Sequence, residues 1–157
     1  MRPRPIHLLA AALVFGCAPP AEAPIDREAD RAAIEELLRS ATAANQNRDV
    51  EAFLGDLTDD AMFMNPGAPS IEGKEALREW ITWRFSVVDP QITISPVEIV
   101  IDHDLAFGRI HVTGFEVNLE TGDTVTVDWK EIATYRRQPD GSWLASRVIG
   151  NSNLPEG

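Results

Sequence analysis

Few side chains in this chain are of the kind that move protons or hold ions, and their spacing narrows what they can do. His111 and Glu131 lie in two β-type segments on either side of a short loop. If that loop is the three residues Glu120-Thr121-Gly122, with Gly122 in the left-handed region, the two stand opposite each other with Arg109 nearby. A histidine facing a carboxylate in a semi-apolar setting is an acid–base pair: the carboxylate favours imidazolium and burial opposes it. The same two residues also make an ordinary cross-strand ion pair, and both readings stand. His103, between Asp102 and Asp104, and the dipeptide Asp59-Asp60 are the other polar clusters. Adjacent residues in a tight turn seldom converge on one ion, so 102–104 reads as an exposed turn and no metal site is expected. Asp59-Asp60 reads as the solvated end of a helical segment rather than a catalytic pair. No phosphate-binding loop, dinucleotide fingerprint, Gly-x-Ser-x-Gly elbow or zincin motif occurs, so no cofactor is expected.

The elements that must position these groups follow from periodicity. Asp26 is a suitable N-cap, with Glu28 in the first turn, and Ala33, Ile34, Leu37, Leu38, Ala41 and Ala44 form one apolar stripe of a helix. After a polar break at 45–48, Asp49 can cap a short second helix carrying Val50, Phe53, Leu54 and Leu57. Ala61 to Met64 is a short strand-type run, and Asn65-Pro66-Gly67 is turn chemistry. A third helix follows Gly73, with Trp80 and Trp83 three apart on its surface, either filling a core or lining a cavity. Beyond Pro90 the pattern is β: 92–101, broken at Pro96, then 105–119 and 123–137 as a long hairpin, then 142–149. In the three-residue register Val117 faces Val125, Phe115 faces Val127 and Thr113 faces Trp129, which keeps apolar residues on one side. The fold class is therefore α+β, three N-terminal helices and a mostly antiparallel sheet.

With 157 residues, 44% of them hydrophobic, the chain can bury one core and reads as one domain behind an N-terminal extension. Its net charge of -11 argues against nucleic acid and against electrostatic attraction to anionic lipid. Arg2 and Arg4 precede an apolar run from Ile6 to Phe15 that is too short to span a bilayer, and residues 1–16 read as an export signal. Val14-Phe15-Gly16-Cys17 resembles the lipobox of bacterial lipoproteins, which implies a lipidated Cys17 and a protein anchored in the cell envelope, periplasmic or on the outer face. An ordinary signal peptide cut nearby is the alternative. Cys17 is the single cysteine, so an exported chain has no internal disulfide. Residues 17–25, rich in Ala, Pro and Glu, read as a tether, and 26–157 as the folded domain.

The order helix, short strand, turn, helix, long strands resembles the nuclear transport factor 2-like superfamily, which includes ketosteroid isomerase and the SnoaL-like cyclases. Asn47-Arg48-Asp49-Val50, Thr58-Asp59-Asp60-Ala61, Pro66-Gly67, Ile71-Glu72-Gly73-Lys74-Glu75-Ala76-Leu77 and Asp140-Gly141-Ser142-Trp143 through Asn151-Ser152-Asn153 are similar to the SgcJ/EcaC-like branch, related to the calmodulin-dependent kinase association domain. The resemblance implies a cone-shaped domain with one pocket, commonly a homodimer. Laid on ketosteroid isomerase, the general-base aspartate falls on Asn65, the oxyanion tyrosine on Ala41, and the second oxyanion acid near Ile132 or Ala133. An amide cannot abstract a carbon-bound proton, so the scaffold is implied without the isomerase site.

Two functions remain. One is a module that binds an unknown small molecule, or associates with a partner, through a pocket of Met62, Met64, Asn65, Trp80, Trp83 and Trp129. The other is an isomerase-, cyclase- or hydrolase-like enzyme using His111 and Glu131, with Asn65 as an orienting amide. The first is preferred, because binding needs only a concave apolar pocket with a few polar groups.

Overall fold

The computed structural model describes residues 26–155; the expected signal segment 1–16 and the expected tether 17–25, Cys17 included, lie outside them. Helix α1 (Arg27–Asn47) starts where the cap residue predicts, with the Asp26 carboxylate accepting from the N–H groups of Glu28 and Ala29 at 3.2 and 3.1 Å. It ends at Arg48, which adopts the left-handed conformation. Asp49 caps α2 (Val50–Gly55) by accepting from Ala52 N–H. The chain then enters β1 (Leu57–Met64), the two-residue β2 (Ile71–Glu72), α3 (Lys74–Val87), and the long strands β3 (Val88–Asp102), β4 (Leu105–Asn118), β5 (Thr124–Arg137) and β6 (Trp143–Ser152). These make one open six-stranded sheet in the order β2-β1-β6-β5-β4-β3, antiparallel except where β1 runs parallel to β6.

Asp59 and Asp60 lie inside β1 rather than at a helix end, because strand pairing to β6 begins at Leu57. They turn to different partners. Lys74 Nζ is 3.4 Å from Asp59, while Arg136 and Arg147 pair with Asp60, whose carboxyl is held below its usual range by the Thr58 hydroxyl and those two guanidinium groups.

The helices cover one face of the curled sheet. Ile34, Leu37 and Leu38 of α1, Phe53 and Leu54 of α2, and Leu77, Ile81 and Phe85 of α3 bury against Ile92, Ile110, Val112, Ala133, Tyr135 and Ala145. α1 also lies along β3, the edge strand: Ile94 N–H donates to Thr42 Oγ1, while Gln46 and Arg31 donate to the carbonyls of Ile92 and Ile99. That satisfies edge groups that would otherwise template another strand. Beside Arg31, in the first turn of α1, Arg137 donates to both oxygens of buried Asp30 at 2.6 and 2.5 Å, and Trp143 Nε1 donates to the same carboxylate at 3.2 Å. Gly114 lets β3 and β4 close up: at its φ of +139°, an added Cβ would sit 2.2 Å from the Gln91 carbonyl oxygen.

The β4–β5 hairpin departs from the expected register. Gly122 is left-handed as anticipated, but the loop has a fourth residue, Leu119. Asn118 Oδ1 accepts from the N–H groups of Glu120 and Thr121 at 2.9 and 3.0 Å, and Asn118 N–H donates to the Asp123 carbonyl at 2.8 Å. This side-chain turn draws Leu119 out of the ladder. Val117 consequently pairs with Thr124, and every partner below is displaced by one.

Candidate functional site

A one-residue slip sends each side chain to the other face of its partner strand. His111 pairs with Lys130, and Glu131 pairs with Ile110, so the proposed acid–base pair does not exist. His111 lies on the outer face, where its Nε2 is 2.8 Å from Asp128 Oδ1; Asn153 donates to the same oxygen at 2.8 Å. These contacts hold the Asp128 carboxyl low, the Asn153 bond being the larger cause. Glu131 lies on the inner face with Trp129, Ala133 and Tyr135.

That inner face, roofed by the helices, encloses a cavity of about 480 Å³. Leu37, Leu38 and Ala41 of α1 line one wall, Phe53 and Phe63 another, Trp80, Trp83 and Arg84 of α3 a third, and the inner positions of β3 to β6 the floor. Phe53, Phe63 and Trp80 form an aromatic cluster with centroids 5.8 to 6.3 Å apart. Trp83 stands at the cavity with 61% of its surface exposed, so it neither fills the core nor is enclosed. Asn65, Trp80, Trp83 and Trp129 thus reach the cavity as expected. Met62 and Met64 do not line it. Alternation along β1 puts Phe63 inward beside Val148, and the two methionines beside Arg147 and Ile149 on the other face.

Five titratable side chains line this cavity: Asp56, Arg84, Glu116, Glu131 and Tyr135. Arg84 is paired with Glu116 and donates to Asn45 Oδ1 at 3.3 Å, its guanidinium carbon 6.0 Å from the Trp80 ring centre. Glu131 crosses β6 over Gly150: a Cβ there would lie 3.1 Å from Glu131 Cγ and 3.3 Å from Trp129 Cε3, so the glycine makes room for both. Burial pushes the Glu131 carboxyl up to about 7, with the Arg84 charge opposing. Tyr135 passes over Gly108 in the same manner; it is wholly buried, and its hydroxyl has no hydrogen-bond partner among the described residues. Burial, and then the Glu131 charge, raise its pKa. Asp56, at the end of α2, has a buried Oδ2 without a partner among the described residues, and burial raises its pKa against the Ser40 hydroxyl.

The cavity therefore holds one carboxyl able to exchange a proton near neutral pH, with an unpartnered hydroxyl further along the same strand face. Tyr135, Asp56 and Arg84 were not singled out from the sequence; Tyr135 is the only tyrosine, and an alternating strand pattern alone could have placed it inward. Ala41, Asn65 and Ala133, where the resemblance to the isomerase implies its site residues would fall, all line the cavity, and none carries an ionisable group; Ile132 faces outward. His103, with a positive φ, is in an exposed turn and bonds Asp102 at 2.8 Å. Among the described residues no cluster of three or more His, Cys, Asp or Glu side chains has metal-binding geometry, and no helix is long and apolar enough to cross a membrane.

Residues 25–145 match the family model of the SnoaL-like domain. Among solved structures, the chain is similar to a ketosteroid isomerase-like protein from Erwinia carotovora atroseptica, with 30% identity over 79% of this chain and 96% of that one and a TM-score of 0.73. A nuclear transport factor 2-like protein with a cystatin-like fold from Novosphingobium aromaticivorans shares 22% identity, covering 83% of this chain and 86% of that one, with a TM-score of 0.68. A hexachlorocyclohexane dehydrochlorinase, LinA-type3, from Novosphingobium barchaimii shares 21% over 82% and 90%, also with a TM-score of 0.68. The latter two likenesses establish the fold alone. No curated protein matches.

Proposed function

The chain belongs to the SnoaL-like domain family, with a nuclear transport factor 2-like fold, and on that premise we propose that it binds a small molecule with an apolar body in the cavity between sheet and helices. The observation that carries this reading is the cavity itself: about 480 Å³, walled by apolar and aromatic side chains, with a few polar groups converging on it. The test is a ligand screen on the purified chain, following tryptophan fluorescence and melting temperature. A true ligand quenches Trp80, Trp83 or Trp129 and raises the melting point, because binding only the folded state stabilises it. A screen of apolar small molecules without response would defeat the reading.

Glu131 favours a second reading, an enzyme of this scaffold with relocated chemistry. A carboxyl poised near neutrality inside an apolar cavity is suited to general acid–base work. His111 has no part in that version, since it lies on the far side of the sheet. Single-turnover product analysis of any ligand found, in the native chain and in Glu131→Gln, separates enzyme from binder: conversion that Glu131→Gln abolishes supports the enzyme.

The lipobox-like Val14-Phe15-Gly16-Cys17 supports export and a lipid anchor on Cys17, with the domain held off the envelope membrane by residues 17–25. Cys17→Ser is expected to move the protein from the membrane to the soluble fraction, and a variant that stays membrane-bound removes the anchor. The outer sheet face exposes Val100, Phe107, Ile132 and Ile149, an apolar surface consistent with a homodimer. Sedimentation of Ile132→Asp against the native chain tests it.

A further inference from the structure

Arg84 is the only cation lining the cavity among the described residues, and it is already paired with Glu116. That leaves two carboxyl groups, Glu131 and Asp56, facing the same space without a positive partner, and one Asp56 oxygen is fully buried and unbonded. Three tryptophans, Trp80, Trp83 and Trp129, supply ring surface around the remaining volume. A wholly buried hydroxyl, that of Tyr135, adds an unpartnered hydrogen-bonding group.

From this geometry we infer that the cavity selects a hydrophobic organic cation, an amine whose ammonium group pairs with Glu131 while its apolar body lies against the tryptophans. The inference rests on the small-molecule reading above and narrows it to a charge class. The physical case is one of complement. A neutral ligand leaves both carboxyls as they are, and an anionic one adds like charge to a site whose only cation is spent. An ammonium ion supplies the missing counter-charge in a desolvated setting, where ion pairing is strong, and is also attracted by the faces of the rings. Glu131 near neutrality then takes its charged form as the ligand binds, and the proton it releases makes affinity rise with pH. The groups that face Glu131 or share its cavity are Arg84 and Glu116, mutually paired, together with Asp56 and Tyr135; none of them substitutes for the ligand's positive charge.

The experiment is calorimetric titration of the purified full-length chain with three probes sharing one apolar body: 4-phenylbutylamine, 4-phenylbutanol and 4-phenylbutyrate. At pH 8 the amine is expected to bind at one site per chain, at least tenfold tighter than the alcohol, with the carboxylate weakest. At pH 6, where Glu131 holds its proton, the amine's advantage narrows at least threefold. In Glu131→Gln the advantage falls below threefold and loses its pH dependence, which separates pairing at this residue from the diffuse attraction of an acidic surface. Should that variant fail to fold, the pH series on the native chain carries the test alone. Equal binding of amine and alcohol at pH 8, or an amine preference that survives Glu131→Gln, overturns the cation inference and leaves the pocket standing. Failure of all three probes to bind at millimolar concentration overturns the pocket reading itself.

Discussion

Replacing Glu131 with glutamine is expected to stabilise the folded chain at alkaline pH and to do nothing at acidic pH. The carboxyl titrates at about 7 in the folded chain, against 4.5 for its ordinary value, chiefly because burial disfavours its charge. Between those two values the folded state binds more protons than the unfolded state, so stability falls as pH rises and levels off above about 7. A shift of that size corresponds to about 3 kcal/mol of destabilisation, fully present at pH 8 and absent at pH 4. For a domain of this size the difference in melting temperature at pH 8 is roughly 10 °C. Because other carboxylates titrate in the same range, the informative quantity is variant minus native, from urea melts at pH 4, 6 and 8. That difference should grow with pH. A flat difference, or a variant less stable than the native chain at pH 8, would refute the assignment of Glu131 as a buried carboxyl without a counter-charge.

Asp30→Ala removes a carboxylate held by three donors and leaves Arg137 without its main partner; the expected loss is about 3–5 kcal/mol in urea unfolding at pH 7. The Arg137 hydrogen bonds depress the Asp30 pKa, so its contribution is complete at neutral pH and disappears as pH falls through the lowered value, opposite in sign to Glu131. Gly114→Ala forces a Cβ to 2.2 Å from the Gln91 carbonyl at a positive φ, and a loss of at least about 2 kcal/mol is expected from the same melts. His111→Ala should leave the affinity of any cavity ligand within about twofold, measured by calorimetry, since the ring faces away from the cavity.

The helices were legible because their signals are local. Asp26 and Asp49 each sit one residue before a helix whose apolar residues recur at helical spacing, and both cap as their chemistry requires. The long strands were legible for the same reason, alternating apolar and polar residues between turn-forming sequences. The hairpin register was not, because it depended on whether Leu119 continued the ladder or the Asn118 side chain closed the turn ahead of it. Alternation of apolar residues offered no veto: Phe115 and Val125 are both exposed, and Glu131 is a charged residue on the buried side. Where a site needs a polar group inside and a partner surface needs apolar groups outside, the pattern that usually reports face is least informative. Met62 and Met64 were misplaced on similar grounds, since hydrophobicity says a strand residue is welcome in a cavity but only parity says whether it points there.

That same parity decides what the scaffold can do. Asn65, Ala41 and Ala133, where the resemblance to the isomerase would place its base and oxyanion donors, all line the cavity, and none of them carries an acid. The cavity's ionisable groups outside the Arg84–Glu116 pair are Glu131 and Tyr135, on the same inner face of β5 as Ala133, and Asp56 at the end of α2. A base at Asn65 would attack from the β1 side of the cavity; a carboxyl at Glu131 would act from the β5 floor, beside Gly150 of β6. Any reaction catalysed here would therefore present its substrate in a different orientation, with the proton-exchanging atom over the sheet. Gly150 holds that arrangement open, because any side chain there meets Glu131 and Trp129 first. Gly150→Val is accordingly expected to abolish ligand binding while shifting the melting point less than Gly114→Ala, since it crowds two movable side chains rather than the backbone. A Gly150→Val chain that binds as well as the native one would place the ligand elsewhere in the cavity.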